Sequence, residues 1–297
     1  MNNPKLLLGP MRLPFLILTP ACVLLGLGTA IYTTGQINWL YFVLALVGGL
    51  AAHISVNTFN EYMDFKSGLD IRTIKTPFSG GSGTLPENPA MARSTLILAW
   101  VTFAVTALIG VFFLFARGWA LFPLGLLGLI IIFVYTKWIA RVPILCLIAP
   151  GLGFGTFMVM GTHFALTGEY SWIAFVASLV PFFLVSNLLL LNQFPDVAAD
   201  QSVGRKHFPI TLGKQQSGRI YIAFLLLTYI SICLSVALKY LPPASLIGLL
   251  TMILAVPLSK SILQYAEDTE KLIPSMGLNV AVTILTPVLV AIGLFIG

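Results

Sequence analysis

Apolar runs recur along this chain between short polar stretches, and each is long enough to cross a hydrocarbon layer as an α-helix, which takes about 20 residues. Nine such runs are legible, over residues 13–33, 39–60, 93–115, 119–138, 144–166, 171–193, 216–238, 243–264 and 273–296. The pattern predicts an all-α polytopic membrane protein: nine transmembrane helices in a bundle, forming a single domain over 1–297. The first run continues as a span, with no small-residue cleavage site behind a short core, so a retained helix is expected rather than a cleaved leader.

Composition sharpens the picture. Hydrophobic residues make up 58% of the 297 and charged residues 9%, with a mean hydropathy of +0.97. A soluble globular domain carries about 25% charged residues. Cys22, Cys146 and Cys233 lie in or beside apolar runs, far apart and without metal-ligand spacing, and read as packing residues.

The few charges are distributed unevenly. With nine spans, every Lys and Arg except Arg117 and Lys239 falls on the side of the N-terminus, as does every acid except Glu169. Basic loops stay in the cytoplasm. The N-terminus and the polar working face are therefore expected there, in a cell inner membrane. The net charge of +6 needs no nucleic acid to account for it, since topology and anionic lipid suffice.

Two polar segments stand out, VNTFNEYMDFKSGLD with Asp64 and Asp70, and NQFPDVAADQSVGRK with Asp196 and Asp200. Each closes an apolar run, where an ionisable group costs about 3 kcal/mol or more unless a partner or ligand meets it. His53, Asn57, Asn60 and Asp64 follow at steps of four, three and four, one stripe along the cytoplasmic half of the second helix. Such a stripe faces the bundle. Asn192, Asp196 and Asp200 also step by four, with Pro195 expected to break the helix there and leave the carboxylates near a helix end, open to water. The two segments resemble each other at a separation of 132 residues, which suggests a pseudo-repeated half.

Four carboxylates with amide oxygens form an all-oxygen donor set that suits Mg²⁺, a cation commonly shared with substrate phosphates. Lys66, Arg72, Lys75, Arg205 and Lys206 nearby make sense around a polyanion. Acids with bases thus point to a metal-bridged phosphate, and an apolar bundle with 21 Phe points to a hydrophobic remainder: a lipid diphosphate. The longest polar stretch, about 64–92, contains TPFSGGSGTLPENP. Its Gly80, Gly81 and Gly83 suit either a lid or amide-lined cradle, or a plain flexible loop.

The segment Asn57 to Asp70 resembles the first aspartate-rich motif of the UbiA superfamily of intramembrane prenyltransferases, in the form NxxNxYxDFxxGxD associated with its menaquinone-type branch. Asn192 to Asp200 resembles the second, DxxxD. The resemblance implies a nine-helix fold and Mg²⁺ ions holding a prenyl diphosphate. It implies Asn60, Asp64 and Asp70 serving one metal and Asp196 and Asp200 the other, Asn192 supporting. Arg12, in MRLPF, resembles the family's Arg before Pro at the first helix. Tyr135, Lys137 and Arg141 resemble its tyrosine and basic residues after the fourth. These are expected near diphosphate or acceptor.

The reaction implied by the resemblance is transfer of the prenyl chain to an aromatic quinone precursor such as 1,4-dihydroxy-2-naphthoate by ionisation of the diphosphate. His53 and Asn57 are candidates to orient the acceptor or take its proton; equally, His53 reads as a satisfied interhelical hydrogen-bonder. His163 and His207 carry no expected role. Two features depart from the branch: the stretch Arg141 to Cys146 lacks the usual Gly-acid pair, and TPFSGGSG replaces a basic stretch. Both bear on the acceptor pocket. A cyclase using the same metal site, with no acceptor, is the main alternative. An ion transporter fits less well, because its acids would lie at mid-membrane, and four intact Asp speak against an inert binding protein.

Overall fold

The computed structural model describes residues 4–297. Eight helices are long and apolar enough to cross a membrane: α1 (Leu13–Thr34), α2 (Trp39–Ser67), α3 (Pro89–Arg117), α5 (Pro143–Thr167), α6 (Trp172–Asn192), α7 (Lys214–Ala237), α8 (Pro243–Tyr265) and α9 (Thr269–Ile296). Between them lies a shorter apolar helix, α4 (Trp119–Val134). No strand occurs among the described residues.

Two boundaries differ from those the hydropathy predicts, and both shape the site. The second run ends at residue 60 by hydropathy, yet α2 continues to Ser67. Helix propagation depends on backbone hydrogen bonds and not on apolarity, and the polar residues of that last stretch find partners within the protein. The fourth run extends to 138 by hydropathy, whereas α4 stops at Val134 and the chain turns through Tyr135–Trp138.

Helices α1, α6, α7, α8 and α9 share the main core, with Leu25, Leu184, Leu191, Tyr221, Ile232, Leu258 and Val290 almost wholly buried. Helix α5 changes gauge within it. After Pro150, which lacks an N–H for the ladder, residues Gly151–Phe157 wind as a π-helix before regular α-helix resumes at Met158. A Cβ on Gly151 or Gly155 would collide with the backbone of Phe182 on α6, so the close approach of the two helices requires glycine at both. Trp39, Trp119 and Trp172 open α2, α4 and α6 and are each more than 60% exposed, a belt of interfacial aromatics at one end of the bundle. The aspartate segments lie at the opposite end.

Candidate active site

All four aspartates line one polar cavity of about 110 Å³. Asp64 comes from the last turns of α2 and Asp70 from a short helix, Leu69–Arg72, just beyond it. Helix α6 ends at Asn192, the chain turns through Pro195 as expected, and Asp196 immediately precedes a short helix, Val197–Ser202, that carries Asp200.

The partners of the four differ. The Arg205 guanidinium spans the two segments: Nη1 donates to Asp200 Oδ1 at 2.8 Å and Nη2 donates to Asp64 Oδ1. The other Asp200 oxygen lies 2.8 Å from His207 Nε2. Asp200 is therefore buried, only 3% exposed, and not open to water as its place near a helix end suggested. Arg205 and His207, reaching back from the next loop, cover it. By contrast Asp70 Oδ2, Asp196 Oδ1 and Asn192 Oδ1 are buried with no hydrogen-bond partner.

Burial, with the charges of Asp64 and Glu61 added, pushes Asp70 up to about 7. Burial, with the charge of Asp200 added, pushes Asp196 up to about 7. Burial alone would lower Arg205, but Asp64 and Asp200 outweigh it and hold the guanidinium charged. The unmet demand is for positive charge between hard oxygen donors, and that is what Mg²⁺ supplies. Among the described residues no three His, Cys, Asp or Glu side chains converge on one point, and the Arg205 guanidinium bridges Asp64 and Asp200.

Of the basic residues near the motifs, Arg12 and Arg205 line the polar cavity, and Lys66, Arg72, Lys75, Lys137, Arg141 and Lys206 are exposed and do not. Lys66 lies over the Tyr62 ring and Lys137 over Trp138. Arg72 donates to Ser202 on the outside, joining the two segments there. Lys66 comes two positions after Asp64, which on a helix points it about 200° away.

Glu61, which the motif pattern leaves out, is fully buried and ties three segments together. It accepts from Arg12 Nε at 3.0 Å, from Ser82 N at 2.7 Å and from Ser82 Oγ at 2.9 Å. Arg12 itself sits at φ 54°, a left-handed conformation uncommon outside glycine, and its Nη2 also reaches Asn60 Oδ1 at 3.4 Å. A sequence signal for Glu61 exists: it is a third acid, with Asp64 and Asp70, at the end of the same apolar run. His207 gives none, since a His in a basic loop is ordinarily solvated.

Below the polar cavity lies a second, of about 440 Å³ and lined chiefly by apolar side chains of α2 to α5. Along α2 it extends from Asn60 to Ala45, about 22 Å at 1.5 Å per residue. The stripe faces this space: His53, Asn57 and Asn60 line its wall. His53 Nδ1 lies 3.0 Å from Thr19 Oγ1 and its ring stands edge-on to Phe154. Asn57 Nδ2 donates to Met11 O at 3.0 Å. Six residues line both cavities and so form the neck between them: Arg12, Asn60, Phe78, Tyr135, Leu189 and Asn192.

Known proteins share this architecture. A UbiA homolog from Aeropyrum pernix K1 superposes with a TM-score of 0.71 at 17% identity, covering 95% of this chain and 97% of that one. A UbiA homolog from Archaeoglobus fulgidus, solved bound to GPP and Mg²⁺, gives a TM-score of 0.60 at 16% identity over 96% of this chain and 99% of that one. In sequence, the 1,4-dihydroxy-2-naphthoate octaprenyltransferase of Bacillus subtilis (strain 168) is 29% identical over 211 residues, 70% of this chain and 66% of the relative. The UbiA prenyltransferase family matches residues 19–295, nearly the whole chain, and this protein belongs to it.

Proposed function

We propose that this protein transfers an isoprenyl group from a prenyl diphosphate to an aromatic acceptor, with a quinone precursor such as 1,4-dihydroxy-2-naphthoate as the first candidate. The observation that carries the reading is the neck: an acid-lined polar cavity opens through six residues into an apolar cavity long enough for a prenyl chain. A diphosphate head and a hydrocarbon tail need that pairing in one ligand. The naphthoate enzyme of B. subtilis among the relatives supports the acceptor class.

Asn60, Asp64 and Asp70 on one segment and Asn192, Asp196 and Asp200 on the other would hold Mg²⁺. Bound there, the metal would neutralise charge on the departing diphosphate. Arg12 and Arg205 are placed to bind phosphate oxygens, Arg205 by exchanging its carboxylate partners for them. The prenyl C1–O bond breaks at the neck, the electron pair leaves with the diphosphate, and the allylic cation is attacked by the aromatic carbon, which then loses its proton. His53 lies eleven residues before Asp64, about 16 Å along α2. That depth sets it beside the prenyl chain, so we assign it to the cavity wall and not to proton transfer. Asn57, nearer the neck, is the better candidate to orient the acceptor.

In the membrane we read all nine helices, α4 included, as spans of one domain over 1–297, with the aspartate cavity at the cytoplasmic face of the inner membrane. The Lys and Arg asymmetry supports this orientation. The test is to incubate purified protein with Mg²⁺ and labelled prenyl diphosphates, with and without phenolic and naphthoic acceptors. An acceptor-dependent prenylated product is expected. A cyclised hydrocarbon at the same yield in both tubes would replace the transferase reading with a cyclase.

A further inference from the structure

The stretch Thr76–Gly83 is absorbed by neither aspartate motif, yet it is fastened to both. Its first turn closes on itself: Thr76 N donates to Ser79 O at 3.1 Å, and the Phe78 and Ser79 amides donate to Thr76 Oγ1 at 3.2 and 2.9 Å. Beyond the turn, Gly80 N donates to Asp196 Oδ2 at 3.2 Å, and Ser82 bonds both oxygens of the buried Glu61. Gly80 and Gly81 sit at φ 81° and 71°. A Cβ on Gly81 would stand 3.0 Å from Asp70 Oδ1, and one on Gly80 would stand 2.9 Å from the backbone of residues 74 and 75. The segment is thus a strap drawn tight over the carboxylates, and the glycines are what let it lie that close.

At the tip of the strap's first turn is Phe78. Its ring lies over Gly277 on α9, packs against the main core, and is one of the six residues shared by the polar and apolar cavities. Phe78 and Tyr135 are the aromatic members of that neck. A ligand with its diphosphate above and its chain below has its reactive carbon at the level of these rings. An allylic cation there is stabilised by an aromatic face and destroyed by water.

We propose that Phe78 determines the fate of the cation, by walling the neck against water from the strap side and by presenting a ring to the reacting carbon. The inference rests on the proposed ionisation of a prenyl diphosphate. Two outcomes then compete after the C1–O bond breaks. Capture by the aromatic carbon, with loss of its proton to solvent, gives the prenylated acceptor. Capture by water forms a new C1–O bond, loses a proton to solvent and gives the prenyl alcohol.

The experiment compares wild type with Phe78→Leu and Phe78→Ala at saturating prenyl diphosphate and acceptor in H₂¹⁸O. It reads by mass spectrometry the ratio of ¹⁸O-labelled alcohol to product with a new carbon–carbon bond. Phe78→Ala opens room for water and removes the ring, so its ratio should rise about tenfold, with Phe78→Leu between it and wild type. The KM for prenyl diphosphate should stay within about threefold, since Phe78 offers the diphosphate no polar contact. Phe78→Leu, which keeps apolar bulk against α9, guards against a folding artefact. An unchanged ratio in both variants overturns the proposal, as does alcohol whose oxygen is unlabelled. Should the carbon–carbon product prove to be a cyclised terpene, the transferase reading fails while the same ratio still tests Phe78. A wild-type enzyme that releases no diphosphate sinks both.

Discussion

Arg205 already bonds two of the carboxylates proposed to hold metal. Its guanidinium bonds Asp64 and Asp200 at once and is only 17% exposed, so both contacts are largely shielded from water. A hydrogen bond between charged groups contributes about 1.5–3 kcal/mol. A bare cation that recruits either carboxylate must displace at least one such contact, so Arg205→Gln should tighten Mg²⁺ binding without diphosphate roughly 10- to 100-fold. Calorimetric titration of metal into detergent-solubilised protein measures this directly. The control is Lys206→Gln, which removes the same charge from an exposed neighbour and should shift affinity less than about threefold, because exposed charges are screened. Affinity for a non-hydrolysable diphosphate should move the other way and fall, since the guanidinium freed by metal is the group placed to meet it. If Arg205→Gln binds metal no more tightly than wild type, or if Lys206→Gln matches it, the displacement argument is wrong.

Replacing Asp64 or Asp196 with Ala should reduce turnover by at least about 100-fold while circular dichroism shows unchanged helix content, because each removes a donor the bundle does not need to close; either variant at wild-type rate with saturating Mg²⁺ refutes the paired-motif site. Asp70 and Asp196, both raised to about 7, hold protons in the metal-free protein below that pH and release them above it. A metal must displace those protons, so affinity should climb from about pH 6 to about pH 8 and then level; a flat profile from Mn²⁺ titrations at the two pH values argues against these ligands. Orientation is checked with single cysteines at Ser67 and Ser202, exposed beside the aspartate cavity, and at Thr34, exposed at the far end. The first two should label only from the cytoplasmic side and the third only from outside, and mixed labelling of Ser67 and Ser202 would break the assigned topology.

How legible the site is in the sequence depends on whether a residue's role is written in periodicity. The stripe His53, Asn57, Asn60, Asp64 is readable because helical spacing fixes which side chains share a face, and the structure brings all four to the cavities. The basic residues are not, because nearness in sequence is not nearness in space. Arg205 and Lys206 are adjacent in the chain, and one closes the site while the other faces water. The roles of Arg205, His207 and Phe78 exist only once loops from different helices meet, which no local pattern encodes. The end of α4 is hidden for a simpler reason: hydropathy sums over a window, so the strongly apolar residues up to Val134 carry the predicted run past the turn at Tyr135–Trp138.

The π-helical turn in α5 sets the rotational phase of everything after it. Seven residues from Gly151 to Phe157 wind more widely than α-helix allows, so the outer part of α5 is set back by about one residue, or about 100° of rotation, relative to an unbroken helix of the same sequence. That offset is what aims Thr162 and Ala165 at the apolar cavity and holds His163 Nδ1 3.0 Å from Thr29 Oγ1 on α1. Removing a single residue from this stretch would let α5 relax to regular α-helix with its outer half still facing α1, because the residue lost is the extra one the wide turn accommodates. The same deletion within the regular Met158–Thr167 segment has no wide turn to absorb it and would rotate the residues beyond it by about 100°. The chain's tolerance of length change is thus strongly position-dependent along one helix, and the wide turn marks where one residue can be lost without changing which wall the deep end of the cavity receives.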